Sequence, residues 1–121
     1  MRAYKEVVKP WGSEKWIDLT DSYCFKEIVL LKGCRTSLQY HEMKQETNFI
    51  SSGRAILTYR SKDSATYTSI LVGPGFSMRF EPGDVHRFEA LEDVTLYECS
   101  TIHVDDVVRL EDSYGREDKQ K

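Results

Sequence analysis

The segment SLQYHEMKQETNF, residues 37–49, contains three side chains that can act as metal ligands. Gln39 and His41 are two residues apart, and because successive side chains of a β-strand point to opposite faces, both would project from the same face. Glu46 follows the short run EMKQ, which is typical of a turn, and would begin the returning strand. His86 lies at the start of a further predicted strand, directly after the Pro-Gly turn in EPGDV. Together the four residues predict a metal site enclosed by strands.

The four side chains would offer one amide oxygen, one carboxylate and two imidazoles. This donor set suits the borderline divalent metals zinc, iron, manganese, nickel and cobalt. One carboxylate against a divalent cation leaves about one net positive charge by formal counting, which would polarise a carbonyl or hydroxyl oxygen. A single histidine on a strand is more often a packing residue, but two of the chain's three histidines fall at the required positions. We expect the third, His103, to be exposed or to pack.

Strand signals dominate the rest of the chain. Short runs rich in β-branched and aromatic residues, such as CFKEIVLL, RAILTYR and VTLYECS, alternate with turn sequences such as KPWG, SSGR and EPGD. Runs of this length at such regular spacing predict an all-β sandwich or barrel. No sustained helical period occurs in the middle of the chain, and we predict one short helix near DDVVRLEDS, residues 105–113. Phe49 is among the aromatic residues that we expect in the core.

Length and composition restrict the function. The 121 residues predict one domain, 1–121. Its barrel core would span about 24–103, with an N-terminal strand segment at 9–17 and a C-terminal tail at 104–121. The net charge is −3 and no basic cluster occurs, which argues against nucleic acid or an anionic membrane as partner. No apolar run is long enough for a membrane span.

The three cysteines predict reduced thiols. Their number is odd, none forms a CxxC pair, and the N-terminus lacks the apolar core of a signal peptide. These features predict a cytoplasmic protein. We expect Cys24 and Cys99 to be buried among apolar residues.

The spacing of the candidate ligands resembles the first sequence motif of the cupin superfamily. Gly33, His41, Glu46 and Gly53 stand at the positions of that motif, and Gln39 replaces its first histidine. The second motif is matched by Gly75, Pro82, Gly83 and His86, with Glu81 where Pro is usual and Ala90 where Asn is usual. The resemblance implies an all-β double-stranded β-helix, the small jelly-roll barrel.

Two flanking segments narrow the resemblance. KPWGSEKWI, residues 9–17, and VDDVVRLEDSYGR, residues 104–116, are similar to the opening and the ending of the cupin domain of type II mannose-6-phosphate isomerases. That family also carries Gln-x-His in its first motif. The resemblance implies a zinc site formed by Gln39, His41, Glu46 and His86, and a homodimer.

The same resemblance implies an isomerase that interconverts an aldose and a ketose, of the mannose 6-phosphate and fructose 6-phosphate type. Lys44 and Glu81 are candidates for the catalytic base, because both lie near motif positions. Arg79 and Arg35 are the candidates for binding the phosphate of a sugar phosphate. No residue is assigned to either role by spacing alone.

Departures from the family pattern keep other functions open. Where the family has a His-Arg-Ala-Glu-His-Trp run, this sequence has MKQETNF, so that Lys44, Thr47 and Asn48 replace the Arg, the second His and the Trp. We expect these changes to alter the substrate pocket. The first alternative is a non-catalytic sugar-binding or regulatory cupin that uses its metal to order the barrel. The second is a non-haem iron oxygenase, because two histidines and one carboxylate also describe its facial triad.

Overall fold

The computed structural model describes residues 5–116, which form eleven β-strands and no helix. The outer end of the predicted tail, residues 117–121, lies outside this range. The strands are β1 (Lys5–Lys9), β2 (Gly12–Leu19), β3 (Cys24–Leu30), β4 (Leu38–Tyr40), β5 (Glu46–Ser52), β6 (Ala55–Arg60), β7 (Thr68–Val72), β8 (Ser77–Phe80), β9 (Val85–Ala90), β10 (Val94–Ser100) and β11 (Val108–Glu111).

The strands form two antiparallel sheets. One sheet has the order β1-β2-β3-β10-β5-β8, and the other has the order β11-β4-β9-β6-β7. From β3 to β11 consecutive strands alternate between the sheets, except that β6 and β7 form a hairpin in the five-stranded sheet. The chain therefore winds around a shared interior as in a jelly roll. The prediction of an all-β double-stranded β-helix is therefore confirmed.

Apolar side chains from both sheets meet in this interior. Leu96 of β10 lies opposite Ile28 of β3 and Ile50 of β5, and all three are buried. Leu57 and Phe88 of the five-stranded sheet belong to the same cluster. Burial of this cluster is the main favourable contribution to the stability of the fold.

Polar side chains follow directly along the same strands. Glu98, two residues after Leu96, lies opposite Lys26 of β3 and Asn48 of β5. Residues two apart on a strand point to the same face, so these three side chains also face the interior, and all of them are buried. The interior is therefore apolar in one part and polar in the other.

Three local predictions were wrong. The helix predicted near residues 105–113 is replaced by β11, whose main chain pairs with β4 and thereby satisfies its hydrogen bonds. Phe49 and Cys99 are exposed rather than buried, because both occupy outward positions of their strands. Cys24 is buried as predicted, and all three cysteines are free thiols.

Within residues 5–116, no helix is long and apolar enough to span a membrane.

Candidate metal centre

A cavity of about 250 Å³ opens from the polar part of the interior. Its inner wall carries His41, Glu46 and His86, all of which are buried. The strands explain this convergence: Glu46 is the first residue of β5, His86 is the second residue of β9, and His41 directly follows β4. The turns on either side of these strands therefore bring three distant parts of the chain to one point.

Glu46 lies between the two imidazoles. Its Oε1 atom is 2.9 Å from Nε2 of His41 and 3.4 Å from Nε2 of His86. One ligand-type atom from each residue lies within 4.8 Å of the others. The ring of Phe80 stacks on His86 at a centroid distance of 4.1 Å and holds its orientation.

Main-chain carbonyls orient both histidines. Nδ1 of His41 donates a hydrogen bond to the carbonyl oxygen of Asp106, and Nδ1 of His86 donates to the carbonyl oxygen of Asp84 at 3.2 Å. With the proton on Nδ1, each Nε2 atom carries a lone pair that faces the Glu46 carboxylate. In metal-binding histidines, the ring nitrogen that does not bind the metal usually donates such a hydrogen bond, which fixes the orientation of the ring.

The charge state of Glu46 also suits a metal. Burial alone would raise the pKa of its carboxyl group, but the two imidazoles and the Lys44 ammonium outweigh burial and hold the pKa well below its ordinary value. Among residues 5–116, Nε2 of His41 and Oε1 of Glu46 have no partner with hydrogen-bond geometry, although they approach each other closely. Two buried acceptors that face each other need a cation or a proton between them. The residues present therefore fit a divalent metal ion.

Gln39 lies beside the three converging residues. It is the register partner of His86 in the β4–β9 pair and lines the cavity. Its Oε1 atom accepts a hydrogen bond from the hydroxyl group of Ser37 at 2.5 Å. This contact fixes the amide near the site.

Of the two residues predicted as catalytic, the structure brings only Lys44 to the cavity. Glu81 instead pairs with Arg79 at 2.6 Å, with side chains 41% and 65% exposed. Arg79 cannot reach the interior, because it occupies the outward position next to buried Phe80 on β8. Neither residue lines the cavity.

Arg35, the other residue predicted to bind phosphate, is also absent from the cavity wall. Its Nε atom donates to the hydroxyl group of Ser113 at 2.6 Å. This contact holds the C-terminal segment against the barrel. Arg35 is half-buried and points away from the cavity, whereas its neighbour Thr36 lines the cavity wall.

Sequence reasoning missed Glu98, which lines the cavity and lies 2.7 Å from Nζ of Lys44. Burial lowers the pKa of Lys44, but the Glu98 and Glu46 carboxylates outweigh it and raise the pKa above its ordinary value. Burial and the negative charge of Glu46 raise the pKa of Glu98. A charged residue at an inward position of an alternating strand, between Leu96 and Ser100, was the signal that could have identified Glu98.

The departures from the family pattern do not all reach the cavity. Lys44 and Asn48 line it, whereas Thr47 points outward and is exposed. The expectation that all three replacements alter the substrate pocket is therefore wrong for Thr47, because it alternates with its inward neighbours on β5. Asn48 donates from Nδ2 to Oε2 of Glu46 at 3.1 Å, so this replacement orients a candidate ligand.

Comparison with known families identifies the domain. Residues 1–112 match the family described as "Mannose-6-phosphate isomerase C-terminal". The chain belongs to this family. Among curated members, it is 33% identical over 116 residues to the alginate biosynthesis protein AlgA of Pseudomonas aeruginosa, which covers 92% of this chain and 23% of AlgA. It is 31% identical over 120 residues to the mannose-1-phosphate guanylyltransferase of Escherichia coli, which covers 95% of this chain and 24% of that protein.

The chain thus spans about a quarter of the length of these members of the mannose-6-phosphate isomerase C-terminal family. Among solved structures, the capsular polysaccharide assembling protein CapF of Staphylococcus aureus superposes with a TM-score of 0.77 at 17% identity. The match covers 92% of this chain and 32% of CapF. At this identity the likeness shows a shared fold, which agrees with the double-stranded β-helix described above.

Proposed function

We propose that this domain is a metal-dependent isomerase that interconverts an aldose phosphate and a ketose phosphate, of the mannose 6-phosphate and fructose 6-phosphate type. The observation that carries the proposal is the convergence of His41, Glu46 and His86 on one point of the cavity wall, in a chain of the mannose-6-phosphate isomerase C-terminal family. The donor set suits zinc. When bound, the ion would supply electrostatic stabilisation of the oxygen that becomes negative during the reaction.

His41, Glu46 and His86 would hold the metal, and Gln39 is the candidate for a fourth ligand. Both imidazoles present Nε2 because main-chain carbonyls occupy Nδ1. Glu46 is held as a carboxylate by its surroundings. A bound cation would take the place of a proton shared between an imidazole and the Glu46 carboxylate.

Glu98 is the candidate for proton transfer, and Lys44 is the candidate for positioning it. Aldose–ketose isomerisation takes a proton from C2 and returns it to C1 through an enediol, while a hydroxyl proton passes between the two oxygens. Glu98 can accept and return the carbon-bound proton, because it is a carboxylate inside the cavity. Lys44, 2.7 Å away, holds that carboxylate in place. Glu98 replaces Glu81 in this role, since Glu81 lies outside the cavity.

The apolar part of the wall would exclude water from the reacting carbons. Trp11, Ile28, Phe88 and Leu96 line the cavity and are buried. Water exclusion strengthens electrostatic interactions and protects an enediol from side reactions.

The test is proton NMR in deuterated water with metal-loaded protein and a panel of aldoses and aldose phosphates. We expect deuterium to enter at C1 or C2 of mannose 6-phosphate as the ketose forms. Glu98→Gln, which retains the three candidate metal ligands, should lose the exchange at a temperature where circular dichroism shows that the variant is folded. If the metal-loaded protein exchanges no proton with any sugar, isomerase activity is excluded.

A second candidate is a sugar-binding domain without catalysis. The observation that favours it is the close Lys44–Glu98 ion pair, which already satisfies both charges. Calorimetric binding of a sugar phosphate by metal-loaded protein, without deuterium exchange, would support this function over isomerisation.

A further inference from the structure

The wall of the cavity carries an excess of positive charge. Six Lys or Arg residues line it against four Asp or Glu residues, although the whole chain has a net charge of −3. A concave surface with one sign of charge attracts ligands of the opposite sign. The basic residues are Lys5, Lys9, Lys26, Lys44, Arg109 and Arg116.

The first strand, β1, and the last strand, β11, with the segment after it, contribute to this positive charge. Lys9 is the last residue of β1, Arg109 lies in β11, and Arg116 follows β11. Burial lowers the pKa of Lys9, and so do the nearby charges of Arg109, Lys26 and Arg116, against the opposing effect of one carboxylate. These cations also line the same cavity. Glu14 pairs with Lys26 and Asp112 pairs with Arg116, and an anion bound at the cavity wall would offset the positive charge of Lys9 and Arg109.

The register of the five-stranded sheet connects this cluster to the candidate metal centre. Arg109 of β11 lies opposite Gln39 of β4, and Gln39 lies opposite His86 of β9. Directly opposite residues of antiparallel strands project from the same face. The three side chains thus form one row, whose outer members are two strand spacings apart, or about 10 Å between their Cα atoms.

This separation suits a ligand with chemically different ends. In a hexose 6-phosphate, the phosphate lies at the opposite end of the carbon chain from C1 and C2. An arginine fork binds a phosphate through two parallel hydrogen bonds, and a lysine adds a further charge. Arg116 is held by two hydrogen bonds to the Asp112 carboxylate at 2.8 and 3.0 Å, so it can support the cluster without moving.

We infer that Lys9 and Arg109, with Arg116 beside them, bind the phosphate group of a sugar phosphate whose carbonyl end lies at His41, Glu46 and His86. This inference rests on the proposed function and names the residues that select a phosphorylated sugar over a free one. It replaces the sequence-based assignment to Arg79 and Arg35, which lie outside the cavity.

The test is isothermal titration calorimetry with metal-loaded protein, using mannose 6-phosphate and mannose as probes. Lys9→Gln and Arg109→Gln should each raise the Kd for mannose 6-phosphate roughly tenfold or more, the effect of losing one charged hydrogen bond. Binding of mannose should not change. The matched control is Arg79→Gln, which removes an arginine from the outer face and should leave both affinities as they are.

Three results would overturn the inference: wild-type affinity for mannose 6-phosphate in both variants, an equal loss in Arg79→Gln, or an equal loss of affinity for mannose. Lys9 lies on the edge strand β1, which pairs with β2 through main-chain hydrogen bonds. Lys9→Gln should therefore fold and test the inference even if Arg109→Gln does not fold. Arg109→Lys, which keeps the charge, should recover part of the affinity.

The two proposals can fail separately. Phosphate-dependent binding through Lys9 and Arg109 without deuterium exchange would exclude the isomerase and uphold the phosphate site. Isomerisation of mannose 6-phosphate with an unchanged KM in both variants would uphold the isomerase and overturn the phosphate site.

Discussion

His41 donates a hydrogen bond from Nδ1 to the main-chain carbonyl of Asp106, which lies 65 positions further along the chain. The carboxylate of Asp106 also accepts hydrogen bonds from the main-chain N–H groups of Glu42, Met43 and Lys44, at 3.1, 2.6 and 2.9 Å. Asp106 therefore orients the imidazole and fixes the loop between two candidate metal ligands. The segment before β11 acts as a support for the candidate metal centre.

Asp106→Ala should weaken metal binding about 10- to 100-fold, the usual effect of losing an outer support of a ligand. The loop that follows His41 would lose three hydrogen bonds, so the ligand positions would be less well held. A competitive titration with a chromophoric chelator measures this affinity. The matched control is Asp105→Ala, which removes the adjacent exposed carboxylate. An equal effect of both substitutions would mean that charge, rather than the loop, determines metal affinity.

His41→Ala and His86→Ala should each abolish stoichiometric metal binding and leave a folded barrel. Each substitution removes an Nε2 donor that faces Glu46. Metal content after equilibrium dialysis checks the loss, and circular dichroism checks the fold. His103→Ala is the control, because Nδ1 of His103 contacts the hydroxyl group of Thr101 and its ring does not line the cavity. Full metal content in both variants would contradict the site.

Glu98→Gln should lower the free energy of unfolding by about 3–5 kcal/mol, because the Lys44 ammonium would remain buried without its counter-charge. Urea denaturation measures the change. Glu92→Gln breaks the exposed ion pair with Arg54 and should cost about 1 kcal/mol or less. A similar small effect at Glu98 would show that water or another group stabilises Lys44 equally well.

Gly53→Ala should destabilise the domain more than Gly33→Ala. Both glycines have φ values in the left-handed region, +84° and +81°, where alanine costs roughly 1–2 kcal/mol. A Cβ atom on Gly53 would also lie 2.2 Å from the main-chain oxygen of Asp93, whereas one on Gly33 would meet no atom within 4 Å. Thermal unfolding of the two variants compares these effects. Equal transition temperatures would contradict the steric argument.

The local sequence predicted the strands and much of the candidate metal centre. The two-residue spacing of Gln39 and His41, the turn before Glu46 and the turn before His86 are short-range features, and β-strand alternation converts them directly into facing side chains. The same rule misplaced Phe49, because alternation predicts that side chains of a strand lie on two faces without stating which face is buried.

The tertiary structure alone decided which distant residues complete the cavity. Glu98 reaches the candidate metal centre because β10 pairs with β5, and Lys9 and Arg109 line one cavity because β1 and β11 both border it. Arg79 and Arg35, closer to the motifs in sequence, face away. Side-chain alternation depends on neighbouring residues and can be read from sequence, whereas strand partners depend on burial and hydrogen bonding across the whole barrel. That is the physical reason why the convergence of the candidate ligands could be predicted and their surroundings could not.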